Sequence, residues 1–493
     1  MTIEARRRLV LAAVVCIAVT AARPAAPQGP APNGGAGSLP AAVRARIDAV
    51  FAPLAVSGSP GCALAVYRDG AIAYERGYGL ASLELGVPIT PRTVFDIGST
   101  AKQFTAFSIL LLERDGKLSL DDDIRRFLPE MPAYERPITV RHLMLHTSGL
   151  RDYLTLWSLA GVGTERWTTQ REAVALVERQ RAANFAAGDD WLYSNTGYLL
   201  LAEIVQRASG KSLKDFARER IFEPLGMTDT FYLDDHTQVV AGKATGYEPR
   251  KGGGFSVDMS NYEQIGDGGV QTTVEDLLLW DRNFYAPKVG DAALLARAQQ
   301  TGSLTSGKAL DYAAGLMIGT YRGLPFVRHG GSWAGYRAEL LRFPSQRTSV
   351  ACLCNLGTAG PSRLADRVAD IVLEAVLKPA AADATRPAAA AQAPAATKGA
   401  SASTPPALSE KALADFSGVY QSDELDARWV VRVVDGKLTV MVGNDIVPLL
   451  PAEPDVFHGK SGLVVVFERS GGAVRGARVD AGRVRGLEFR KAG

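Results

Sequence analysis

At 493 residues, 47% of them apolar and 22% charged, the chain has an ordinary globular composition and enough length for two or three domains around a large core. Its 55 basic and 52 acidic residues leave a formal charge of +3 with the signs interspersed, which points away from nucleic acid and from an anionic surface as partners.

Residues 1–22 read as a signal peptide: Arg6, Arg7 and Arg8 precede an apolar run from Leu9 to Ala22, with small residues at Thr20 and Ala22 suited to cleavage. The expected location is therefore periplasmic or secreted. The run is too short for a stable anchor, and no later stretch of about 18 apolar residues replaces it. Val15 before Cys16 is a poor fit to a lipoprotein signal, so no membrane attachment is expected. Three cysteines then remain, too few and too odd in number for a disulfide framework; Cys352 and Cys354 share one face of a strand-like run and read as buried free thiols.

A Pro, Gly and Ala-rich leader spans residues 23–38, and folding is expected to begin at Leu39. Two apolar runs around Arg68-Asp69-Gly70 predict a hairpin between Cys62 and Gly79. Helical periodicity dominates from Thr93 to Tyr285, with helices predicted over Ser99 to Leu112, Val140 to Leu145, Thr196 to Ala208 and Thr273 to Phe284. Strands return at Phe326 to Arg328, Ala338 to Phe343 and Ser349 to Asn355, and a helix over Arg363 to Leu377 closes a unit of residues 39–378. Residues 379–407, almost all Ala, Pro, Ser and Thr, read as a linker. Residues 408–493 alternate apolar and polar, with Asp435-Gly436 marking a hairpin, and predict a small antiparallel β domain.

Three motifs carry chemistry. Ser99-Thr100-Ala101-Lys102 places a serine three positions before a lysine at a helix start, and such positions are neighbours at about 5 to 6 Å. A serine hydroxyl is a weak nucleophile at neutral pH, and a partly desolvated lysine amine can serve as its base. Ser99 at a helix N-terminus also offers its own N–H to a developing oxyanion. Tyr193-Ser194-Asn195 lies where a loop enters a helix, so its phenol can join a proton relay while Asn195 bonds substrate and Lys102. His329-Gly330-Gly331-Ser332 ends a strand and lacks bulk at two positions, so a substrate backbone can lie along that edge and the N–H of Ser332 can complete an oxyanion hole with Ser99. Each string alone has a bland reading, as a capped helix start, a half-buried tyrosine or a glycine turn; their order along one chain favours catalysis.

This set resembles the serine hydrolases that include class C β-lactamases, D-alanyl-D-alanine carboxypeptidases, D-aminopeptidases and related esterases. The resemblance covers Leu39 to Leu377 and includes Leu145-His146-Thr147-Ser148-Gly149-Leu150, Pro224-Leu225-Gly226-Met227 and Gly268-Gly269-Val270. It implies an α/β (α+β) fold, an antiparallel sheet flanked by helices with a helical subdomain, and a small all-β domain after a linker, whose role its residues do not reveal. It also implies that Ser99 is acylated, that Lys102 and Tyr193 share the acid and base work, and that Asn195, His329, Gly330 and Gly331 bind substrate: a β-lactam, a D-amino-acid peptide or an ester. No cofactor and no metal are expected.

The chain departs from a typical class C β-lactamase by having His329-Gly330-Gly331 where Lys-Thr-Gly is usual, losing a fixed positive charge and a hydroxyl that hold a carboxylate. Arg328 and Arg337 flank the motif as substitutes, although alternate strand residues point away from it. An α/β-hydrolase is excluded because Gly330-Gly331-Ser332-Trp333-Ala334 misses the last glycine of G-x-S-x-G and only His458 follows. His142 and His146 lack the glutamate of H-E-x-x-H and read as incidental residues on an amphipathic helix. The competing function is a penicillin or peptidoglycan sensor that acylates and turns over slowly.

Overall fold

In this computed structural model, residues 38–379 and 408–492 are described. The expected signal peptide falls outside them, as do the leader and linker apart from Ser38 and Pro379. Among the described residues no helix is long and apolar enough to cross a membrane.

The first part is built on a six-stranded antiparallel sheet. Its strands in chain order are β1 (Cys62–Arg68), β2 (Ala71–Tyr78), β3 (Met317–Tyr321), β4 (Leu324–Trp333), β5 (Tyr336–Phe343) and β6 (Thr348–Cys354), arranged β3-β4-β5-β6-β1-β2. The Asp69-Gly70 turn joins β1 to β2 with both residues at positive φ, 53° and 74°, the backbone that an Asp-Gly hairpin supplies. Because side chains alternate, each strand feeds two cores. Ala63, Ala65, Tyr67, Leu340 and Leu353 enter the large core with the central helices. Cys62, Leu64, Val66, Leu341 and Val350 enter a second core against α1 (Ala41–Phe51) and the C-terminal helix Pro361–Val372.

Helix α2 (Lys102–Arg114) is buried from Lys102 through Leu112, a central helix covered on all sides. A 3-10 turn, Gly98–Ala101, leads into it, so the predicted single helix has a tighter first turn carrying Ser99. Helices α3 (Val140–Met144) and α4 (Asn195–Ser209) lie close to their predicted spans.

Two expectations are corrected. Cys354 is not a free thiol: it is disulfide-bonded to Cys62, its direct cross-strand partner, while Cys352 stays reduced and buried. Counting cysteines cannot see this pair, because its members are 292 residues apart and meet only when β1 docks beside β6. His146 is not an incidental helix residue. Helix α3 ends at Met144, and His146 turns back with φ 60°, whereas His142 joins Thr139 in the helix-capping box.

The second part is a closed barrel of eight antiparallel strands from Gly418–Ser422 to Val484–Lys491. It docks on the helical region through polar contacts. Arg151, 2% exposed, donates to Gln180 Oε1 at 3.2 Å, to the Glu424 carboxylate, and to the carbonyls of Arg485 and Gly486 at 3.1 and 2.9 Å. The Trp429 indole donates to Leu159 O at 2.8 Å.

Candidate active site

The 3-10 turn and α2 bring Ser99 and Lys102 together as their spacing predicts. Lys102 is fully buried, and its Nζ lies 3.1 Å from Ser99 Oγ, 2.9 Å from Asn195 Oδ1 and 2.5 Å from the Asp267 carbonyl. An ammonium has three protons, and these three acceptors match them. Asp96 holds the turn by accepting from Gly98 N at 2.7 Å and from Gln271 Nε2 at 2.9 Å.

Tyr193 stands on the loop before α4. Its ring centre is 5.1 Å from Lys102 Nζ, and its hydroxyl is buried with no hydrogen-bond partner among the described residues. His146 fixes it: the imidazole packs against the phenol at 4.1 Å, accepts from Ser194 N at 3.2 Å through Nδ1, and its backbone carbonyl accepts from Leu192 N. Asp152 accepts from Asn195 N at 2.7 Å. The Asp267 carboxyl, pushed up to about 6 by burial against the pull of Lys102, accepts from Tyr153 Oη at 3.1 Å.

The third motif lies within β4. Strand β3 pairs only with Leu324 to Arg328, so from His329 onward β4 keeps β5 on one side and has the Ser99 turn, in place of a strand, on the other. Thr100 Oγ1 donates to His329 O at 3.3 Å, and a Cβ on Gly98 would stand 2.8 Å from Ser332 N, which puts that amide next to the turn. Gly331 is tighter still, because a Cβ there would lie 1.9 Å from Ile97 O. Gly331→Ala must therefore push β4 from the turn, and kcat/KM is expected to fall about 100-fold, since a shift of about 1 Å carries that cost. Activity within twofold of wild type would show that the strand edge does not position substrate.

His329 bonds Tyr312 Oη through Nε2 at 2.9 Å and Gly330 O through Nδ1 at 2.7 Å, which fits the neutral tautomer protonated at Nδ1. Burial and Lys102 lower its pKa to about 4. The unfolded imidazole takes its proton near 6.5, so between those values the unfolded chain binds the extra proton and stability falls as pH falls. His329→Gln removes this term. The stability difference between wild type and variant is expected to shift against the wild type by about 2 kcal/mol between pH 7 and 4.5, read by denaturant unfolding. A difference independent of pH would contradict a buried neutral imidazole.

Neither flanking arginine takes the place of the lost charge in the same way. Arg328 points to the other face and is spent on Glu339 and Asp366 at 2.8 and 3.0 Å. Arg337 lines the site but donates to the carbonyls of Ala334 and Tyr336.

These groups open on a cavity of about 860 Å³, walled by Trp191, Tyr193, Tyr262, Tyr312 and Trp333. Within it the structure brings together Ser99, Tyr193, Asn195, His329, Gly330, Gly331 and Ser332, with Lys102 directly beneath. Sequence reasoning missed Tyr153, Asp267, Tyr312 and Arg483, and it left His146 unassigned although it lies in a stretch that carries the resemblance.

A family model described as Beta-lactamase matches residues 47–375. A D-aminopeptidase of Gluconobacter oxydans is 31% identical over 312 residues, covering 63% of this chain and 59% of that one; the chain thus spans less than two thirds of that relative's length. Among solved structures, the octameric penicillin-binding protein homologue from Pyrococcus abyssi superposes with TM-score 0.61 at 23% identity over 91% of this chain and 99% of that one. The D-amino acid amidase from Ochrobactrum anthropi SV3 gives TM-score 0.56 at 25% identity, covering 68% of this chain and 99% of that one. With its Ser99 turn, buried lysine and glycine-lined strand edge inside a family match that takes in well over half its length, this chain belongs to the beta-lactamase-like serine hydrolase family.

Proposed function

We propose that the chain is an exported serine hydrolase that cleaves an amide bond of a D-amino-acid substrate through an acyl-enzyme. The observation that carries this reading is the buried Lys102 ammonium group set 3.1 Å from Ser99 Oγ and locked by Asn195. Ser99 Oγ attacks the carbonyl carbon and gives up its proton to the Tyr193 oxygen, which serves as the base in its phenolate form beside the Lys102 ammonium. The N–H groups of Ser99 and Ser332 receive the oxyanion. The relay returns the proton to the leaving nitrogen as the C–N bond breaks, and water, deprotonated by the same pair, releases the acid. Asn195 orients Lys102, while His329, Gly330 and Gly331 form the edge along which the acyl chain lies.

The relatives named as D-aminopeptidase and D-amino acid amidase support the amide substrate and its configuration. A neutral His329 and the missing hydroxyl at Gly330 disfavour efficient β-lactam turnover. The N-terminal arginines and apolar run support export. Steady-state hydrolysis of D-amino-acid amides and peptides, a short-chain p-nitrophenyl ester and a chromogenic cephalosporin tests the reading. D-amide turnover exceeding that of the L-enantiomer and of the cephalosporin is expected; fast cephalosporin turnover with inert D-amides would replace it with a β-lactamase.

A further inference from the structure

His146 holds a left-handed backbone, φ 60°, that a residue other than glycine rarely adopts, and such residues gather where function over-determines them. The turn brings its carbonyl and its ring to bear on one neighbour. The carbonyl accepts from Leu192 N at 3.1 Å and Nδ1 accepts from Ser194 N at 3.2 Å, so the amides before and after Tyr193 are both held by one residue. The imidazole then lies against the phenol itself, with ring centres 4.1 Å apart. The same imidazole is 5.2 Å from the ring of Tyr198 on α4 and 4.7 Å from that of Tyr312, whose hydroxyl bonds Nε2 of His329 on β4 at 2.9 Å. It therefore ties the Tyr193 loop to the third motif. The cations that act on it are Lys102 and Arg483, which the turn between the last two barrel strands, Ala473–Ala481 and Val484–Lys491, brings 4.7 Å from the Tyr193 ring and pairs with Asp152 at 3.6 Å. Burial, with these two cations adding to it, holds the His146 imidazole well below its usual pKa, so the ring is neutral and Nδ1 is free to accept.

We propose that His146 is a positioning residue for catalysis, which sets the Tyr193 oxygen between Lys102 and the edge of β4, so that its loss is felt in kcat and only through Tyr193. This rests on the serine-hydrolase reading above, in which that oxygen takes the Ser99 proton. Packing alone does not account for the residue. Nε2 of His146 is buried without a hydrogen-bond partner among the described residues, so a phenylalanine would fill the same space without stranding a polar atom. What the imidazole adds is the Nδ1 acceptor that fixes Ser194, next to the ring that fixes the phenol. A phenol displaced by about 1 Å would no longer meet both the Ser99 proton and the leaving atom, and a shift of that size costs about 100-fold in rate.

The test uses the full chain and two reactions. Steady-state hydrolysis of a D-amino-acid amide separates kcat from KM. Phosphonylation by an alkyl fluorophosphonate, followed by mass spectrometry, needs no knowledge of the substrate: the Ser99 Oγ–P bond forms, the P–F bond breaks, fluoride leaves and the Ser99 proton goes to Tyr193. His146→Ala is expected to slow both about 100-fold with KM within about twofold of wild type. Asparagine tolerates the left-handed backbone and offers an oxygen where Nδ1 accepts, so His146→Asn keeps the backbone bond without the ring and is expected to recover about tenfold of that loss. In a Tyr193→Phe background, His146→Ala is expected to cost less than about threefold more, because the group it positions is already gone. The same factor lost in both backgrounds, or a rise in KM at unchanged kcat, overturns the proposal. If the alanine variant does not fold, His146→Asn decides: a rate equal to wild type overturns the proposal, and a loss at an unchanged unfolding midpoint that vanishes in Tyr193→Phe supports it. Absence of D-amide turnover by wild type overturns the amide substrate, and the phosphonylation rates then still decide what His146 does.

Discussion

Replacing Ser99 by alanine is expected to lower kcat by at least about 10⁴-fold on any substrate the enzyme turns over, because loss of a nucleophile leaves only the contributions of substrate binding and oxyanion stabilisation. The change removes one oxygen from the mouth of the site. Lys102 keeps Asn195 Oδ1 and the Asp267 carbonyl as acceptors, so the buried ammonium is not stranded and the unfolding midpoint should hardly move. Two measurements check this: steady-state turnover, and mass spectrometry after treatment with an alkyl fluorophosphonate, which should label wild type at Ser99 and leave the variant unlabelled. Residual turnover above a tenth of wild type, with labelling elsewhere, would mean that another group is the nucleophile.

Arg151→Ala should be the most damaging single change to stability, about 3 to 5 kcal/mol by chemical unfolding, because it breaks a buried ion pair and leaves the remaining charge uncompensated. The side chain closes the seam between helical region and barrel, and its loss leaves Glu424 and the carbonyls of Arg485 and Gly486 without their donor. Chain continuity adds a catalytic consequence. The next residue, Asp152, accepts from Asn195 N and donates its own N–H to Arg483 O, so loosening the seam disturbs both the Lys102 partner and the barrel turn. Arg151→Lys retains charge but loses the fork, and an intermediate loss is expected. A change below about 1 kcal/mol in the alanine variant would mean that the barrel is held by its apolar contacts.

Much of the site was legible along the chain because its parts are local. Ser99 and Lys102 are three residues apart on one helical path, and Tyr193 and Asn195 bracket a helix start. Gly330 and Gly331 announce a strand edge that must pass close to something. The hairpins at Asp69-Gly70 and Asp435-Gly436 were legible for the same reason, since both residues of each first turn position adopt the backbone those residue types favour. Family resemblance then supplied the assembly that joins these segments.

What stayed hidden depends on groups that are distant in sequence and ordinary in type. Tyr312 and His329 meet across the cavity, and Tyr153 meets the Asp267 carboxyl. His146 leaves its helix to stack on Tyr193, and Cys62 finds Cys354 only in the finished sheet. Arg483 belongs to a different part of the chain from the nucleophile, in an Ala-Gly-Arg-Val turn that carries no motif. The sequence by itself determined the elements and the pairing of Ser99 with Lys102, because propensity and i to i+3 spacing act within a few residues. Only tertiary structure decided the neutral state of His329, the cross-strand disulfide and the arginine delivered by the barrel. Burial, strand pairing and docking are properties of whole surfaces, and no short window of residues contains them.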